Sequence, residues 1–157
     1  MPIPFNIAGC VLAVLFCLQP LSLCHAGGGN SADGGGVTTR ALWHVTGFIH
    51  GPDAKMTNDE ILSYQGRPLN IDDTSLTFGG TTCSPITITR SQADTASYFS
   101  KKLFIHQDDV EYTSPTVGVI KTNCDIEGFE EFVRLNDRRL LVSVQGVVFI
   151  LEPNVNY

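Results

Sequence analysis

Apolar and polar residues alternate along much of the chain beyond its first 40 residues, and the period of the alternation predicts its elements. From Ala41 onward, Trp43, Val45 and Ile49 fall on one side and His44, Thr46 and Phe48 on the other, the period of two that marks a half-buried strand. Thr57, Asn58, Asp59 and Glu60 then spell a capping box ahead of Ile61, Leu62 and Tyr64. Gly66 and Pro68 stop that helix after about two turns. Alternation returns with Leu69 and Ile71, an acidic turn at Asp72 and Asp73, and then Leu76 and Phe78, a hairpin closed off by Gly79 and Gly80. Residues 86–89 alternate again just past Cys83, which places a disulfide at the entry of that strand. Ser91 with Asp94 reads as the cap of a second helix running to about Lys102, with Tyr98 and Phe99 near the core.

Residues 117–124 and 129–135 are rich in β-branched and aromatic side chains and read as strands. Residues 140–144 and 147–151 are almost continuously apolar, with Gln145 and Gly146 between them as a tight turn. Continuous apolar content means burial on both faces, so this last hairpin belongs in the middle of the fold. The expected fold class is mainly β: a small curled antiparallel sheet or barrel of about seven strands, with two short helices over one end.

The N-terminus has a different character. Residues 7–18 carry no charge and form an apolar run shorter than the roughly 20 residues that span a bilayer as a helix. Pro20 breaks the run, and Cys24 and Ala26 put small residues at the positions signal peptidase reads, so residues 1–26 are expected to be a signal peptide. Leu21, Ser22, Leu23 and Cys24 offer the alternative of a lipoprotein box, with Cys24 lipidated. Residues 27–39 hold six glycines and nothing that builds a core, and read as a flexible linker. The β-rich domain is then residues 40–157.

Export changes the meaning of the cysteines. Cleavage removes Cys10, Cys17 and Cys24 and leaves Cys83 and Cys124, an even pair in an oxidising compartment, where a disulfide is expected. All 10 basic and 16 acidic residues follow the cleavage point, so the mature chain keeps a net charge of −6. Nucleic acid and anionic membrane surfaces are repelled by that charge, which leaves a lipid anchor as the one expected route to a membrane. A basic protein is attracted.

The side chains that carry chemistry are sparse. His44, His50 and His106 have no partners at metal-ligand spacing, and no nucleophile elbow occurs. Asp59 with Glu60 and Glu130 with Glu131 are adjacent pairs, which a strand would point to opposite faces and so away from joint acid-base work. No catalytic residue, metal site or cofactor is therefore assigned. Two acidic stretches carry aromatic residues and suit a protein-binding edge: His106, Asp108, Asp109 and Tyr112 in the loop 104–115, and Glu127, Phe129 and Glu130 in 125–131. Both are expected on one surface, since a single strand joins them.

The order Trp43, Val45, Gly66 with Leu69, Cys83 before Pro85, Cys124, and the closing Gly146, Val147, Phe149 and Leu151 resembles a class of small exported bacterial β-domain proteins. In size and export the chain is similar to periplasmic lysozyme inhibitors and to immunity proteins against wall-degrading toxins, although the Ser-Gly-x-x-Tyr loop of the best known inhibitors is absent. The resemblance implies a compact β domain with one disulfide and assigns no catalytic residue. The function expected is a non-catalytic, periplasmic or secreted binding module for a basic protein such as a cell-wall hydrolase. A lipocalin-like small-molecule binder, with a cavity lined by Trp43, Phe78 and Phe149, and an envelope structural protein are the alternatives.

Overall fold

A computed structural model describes residues 42–154. The expected signal peptide and the whole of the expected linker lie outside the described residues. Among the described residues nine strands form one antiparallel sheet: β1 (Leu42–His50), β2 (Pro68–Ile71), β3 (Leu76–Phe78), β4 (Thr81–Cys83), β5 (Ile88–Asp94), β6 (Thr116–Thr122), β7 (Glu131–Asn136), β8 (Arg139–Val144) and β9 (Val147–Pro153). Their spatial order is β4-β3-β2-β1-β9-β8-β7-β6-β5. β9 is the middle strand, so the final hairpin is central, as its apolar run predicts. The sheet curls into a half-barrel and does not close on itself.

Two apolar layers account for the curl. On the concave side Trp43, Leu69, Phe78, Phe129, Phe132 and Phe149 pack into one cluster, joined by Ile61 from helix α1 (Asn58–Tyr64). On the convex side Val119, Val133, Leu141 and Val148 meet Phe99 and Leu103. Those two residues come from a helical segment formed by α2 (Thr95–Tyr98) and a π-helix (Phe99–Leu103). Strands β6 to β9 are thus covered on both faces, which is why their sequences do not alternate. α1 is capped as its sequence predicts, with Glu60 Oε2 accepting from the Thr57 N–H at 2.7 Å and Thr57 Oγ1 accepting from the Glu60 N–H at 3.3 Å.

Several expectations are corrected. The strand count among the described residues is nine, not about seven: eight correspond to segments marked by the sequence, and the ninth, Thr81–Cys83, has no apolar pattern of its own and pairs with β3. Residues 86–89 do not form a strand by themselves. The strand runs Ile88–Asp94, and its register against β6 takes in Ser91, so that Asp94 alone caps α2, its Oδ1 accepting from the Ser97 N–H at 2.8 Å. In β1 the ladder against β9 shifts between Val45 and Gly47. That bulge at Thr46 reverses the alternation beyond it, sending Phe48 toward the concave cluster and Ile49 toward the convex one.

The Cys83–Cys124 disulfide is present, and Cys83 lies on β4 rather than at the entry of the next strand. It joins one edge strand of the sheet to the residues just past β6, beside the other edge. Asn123 secures the crossing between the two edges, its Oδ1 accepting from the Thr87 N–H at 2.7 Å and its Nδ2 donating to Pro85 O at 3.2 Å.

Candidate functional site

The acidic residues singled out by sequence fall in two separate places. Asp108 and Asp109 belong to a 3-10 turn (Gln107–Val110), in which Asp109 Oδ2 accepts from the His106 N–H at 2.7 Å. Val110 O accepts from Arg139 Nη1 at 2.7 Å, which holds this turn at the start of β8. Tyr112 is half-buried, and its hydroxyl donates to Thr116 O at 2.9 Å. Glu127, in contrast, accepts from Gln145 Nε2 at 3.4 Å, just beyond the far end of β8. The two stretches are therefore separated by the length of that strand, about 20 Å, and the single surface expected from sequence does not form.

Phe129 is a further correction, because it is fully buried and cannot anchor a partner. Its ring lies 4.8 Å from Phe78 and 5.8 Å from Phe132. Gly128 is the cause. Its φ of +85 turns the chain inward, and a Cβ there would meet Ser143 O and the Val142 and Val144 methyls at 2.8 Å, so the loop presses directly onto β8. Glu130 supports the same turn by accepting from the Gly128 N–H at 3.0 Å.

A different set of residues builds a surface at that end of the sheet. Gln145 and Gly146 both have positive φ, +48 and +82, as a two-residue hairpin turn of the primed type requires. The loop 51–55 docks on this turn through its backbone: the Gly51 N–H donates to Gly146 O and the Lys55 N–H to Gln145 O, each at 2.9 Å. A side chain at position 51 would put its Cβ 2.5 Å from Gly146 O, so only glycine permits the approach. Asp53, Lys55, Gln145 and Phe104 then rim an open depression of about 300 Å³.

Phe104 is the distinctive member. It follows the π-helix and adopts the left-handed conformation, φ +55 and ψ +39, where its N–H donates to Phe99 O and closes the helical segment. The residue is 55% exposed. An aromatic side chain left in water on a backbone conformation that favours glycine is costly on both counts. By sequence alone Phe104 is only the start of a loop. The signal, an aromatic residue where a helix end usually holds Gly or Asn, is visible only once the end of the helix is known.

The remaining polar contacts are structural. Glu131 accepts from the Tyr98 hydroxyl and forms an ion pair with Lys121 at 3.0 Å. Burial pulls the Glu131 carboxyl upward, but the Tyr98 hydrogen bond together with Lys121 outweighs it and the net shift is downward. Burial pushes the Tyr98 hydroxyl up, and the neighbouring Glu131 carboxylate adds to the shift. Asp72 is held down to about 2 by the Thr74 N–H and then by the Ser75 hydroxyl and N–H. Among the described residues no three His, Cys, Asp or Glu side chains converge as a metal site.

Among the described residues the concave interior is packed with side chains. Trp43 and Phe149 are buried and Phe78 nearly so, and Tyr64 stacks on Phe149 at 4.6 Å. The gap between Ile71, Ile88 and Phe132 measures about 10 Å³, room for about one water. No helix among the described residues is long and apolar enough to cross a membrane. No protein family matches the chain, and comparison with curated proteins and with solved structures gives no match either.

Proposed function

We propose that the protein is an exported, non-catalytic binding module that engages a basic partner protein through the end of the sheet carrying Phe104. The observation behind this reading is Phe104 itself: an exposed aromatic ring on a strained backbone, beside a depression whose floor is held by backbone hydrogen bonds. Exposed aromatic anchors in preformed depressions are where binding energy concentrates. Asp53 and Lys55 on its rim offset one another, and the chain's net charge of −6 favours a cationic partner. The disulfide supports an oxidising compartment. A periplasmic inhibitor or immunity protein against a cell-wall hydrolase fits that combination. The filled interior favours this reading over a lipocalin-like carrier.

Calorimetric titration of the oxidised protein with a panel of basic wall hydrolases tests the proposal. A complex that Phe104→Ala weakens at least tenfold, and that weakens with added salt, is the expected result. Binding indifferent to Phe104→Ala, or no binding across the panel, overturns it.

A further inference from the structure

The two edges of the sheet are built differently. β4 is three residues long and ends in the disulfide, a short and tethered edge of the kind that resists pairing. β5 is seven residues long and carries no proline or bulge, and residues 89–92 are exposed. Its hydrogen-bonding phase follows from its two ends. The Thr87 N–H donates to Asn123 Oδ1, and the Thr95 N–H to Pro115 O at 2.9 Å, so odd-numbered residues face β6. The N–H groups of Ile88, Arg90, Gln92 and Asp94 therefore point away from the sheet.

Those same even-numbered side chains share the concave face, with Arg90 and Asp94 four positions apart. Among the described residues Arg90 takes no ion-pair partner. We propose that β5 pairs antiparallel with β5 of a second copy about a two-fold axis at Gln92. In that register Arg90 of each copy stands directly opposite Asp94 of the other, at the roughly 5 Å separation at which cross-strand charges attract. Only one two-fold register gives this pairing twice, and it also brings the outward N–H and C=O groups of the two Gln92 residues together, as the phase requires. Asp94 Oδ1 stays on the Ser97 N–H, and its second oxygen meets the arginine. The strand is thus complementary to itself in charge and in phase, which argues for a second copy of this chain over an unrelated strand. This surface is separate from the one carrying Phe104.

Sedimentation of the oxidised full chain across concentration gives the first readout, and a dimer is expected. Gln92→Pro removes an N–H that bonds to nothing in the monomer, so the fold persists while the central pair of the interface is lost. Arg90→Glu sets like charges opposite Asp94. Each variant should weaken dimerisation at least tenfold with the disulfide and circular dichroism unchanged. Hydrogen exchange is a second readout that needs no variant: the amides of Arg90, Gln92 and Asp94 should become protected as concentration rises, while those of Thr89, Ser91 and Ala93 are protected throughout. A monomer at about 100 µM overturns the proposal and leaves a strand from a different protein as the occupant. So does a dimer that survives Gln92→Pro, or exchange at residues 90, 92 and 94 that ignores concentration.

Discussion

The Tyr98 hydroxyl donates to the Glu131 carboxylate, which ties the helix on the convex face to the first residue of β7. Lys121, opposite Glu131 on β6, closes the set. Three elements are thus held by one partly exposed carboxylate.

Stability should therefore fall with acid in a particular way. The folded-state pKa of Glu131 lies below its ordinary value of 4.5, so its contribution is present above that pH and is lost as pH falls through the depressed folded value. Tyr98→Phe should cost about 1 kcal/mol at pH 7, the scale of a hydrogen bond to a partly exposed charged group. Urea denaturation at pH 7 and pH 3 checks this, and the gap between variant and wild type should narrow at the lower pH. Asp72, held down to about 2, loses its contribution over the interval from its ordinary 3.8 down to that value, so acid unfolding should extend below pH 3.

The disulfide closes a separation of 41 residues between opposite sides of the curled sheet. Replacing both cysteines with serine should remove about 4 kcal/mol by the loop-closure argument, with an added penalty for a hydroxyl at the buried position 124. Chemical denaturation of the double variant measures it, and a loss under about 1 kcal/mol would count against the staple as a main source of stability.

Two glycines with similar backbone angles should respond differently to alanine. Gly80, at φ +92, has open space where a Cβ would stand, whereas at Gly128, with φ +85, a Cβ would meet three atoms at 2.8 Å. Gly80→Ala should cost about 1 kcal/mol, from conformation alone. Gly128→Ala should cost roughly 2 to 4 kcal/mol, because overpacking against β8 adds to the same backbone term. Equal costs in thermal unfolding would contradict the close packing of that loop.

Phe104→Gly should separate stability from binding. Glycine relieves the left-handed backbone and exposes no aromatic ring, so the variant should unfold at the same temperature or a few degrees higher, a gain of up to about 1 kcal/mol. Binding to the basic partner should weaken along with it. A variant that is destabilised and still binds normally would show that Phe104 serves the fold.

Features that depend on neighbours in the chain were legible from the chain. The Thr57 to Glu60 capping box closes on itself within four residues, the Gln145-Gly146 turn needs only residues that tolerate positive φ, and the nearly continuous apolar run of the last hairpin demands two covered faces wherever it lies. The cysteine pairing followed from the count of cysteines beyond the expected signal peptide. Pairing across the sheet decided the rest. Thr81–Cys83 is a strand because β3 offers it hydrogen bonds, and Ser91 leaves the helix cap because β6 fixes its register. Phe129 turns inward because Gly128 lets the loop lie against β8, and Phe104 stays outside because the convex layer ends there in a left-handed residue. A strand's side chains point by parity, so a one-residue bulge at Thr46 or a shifted strand boundary moves a residue from solvent to core. That parity is set by contacts between segments far apart in sequence, which no local pattern contains.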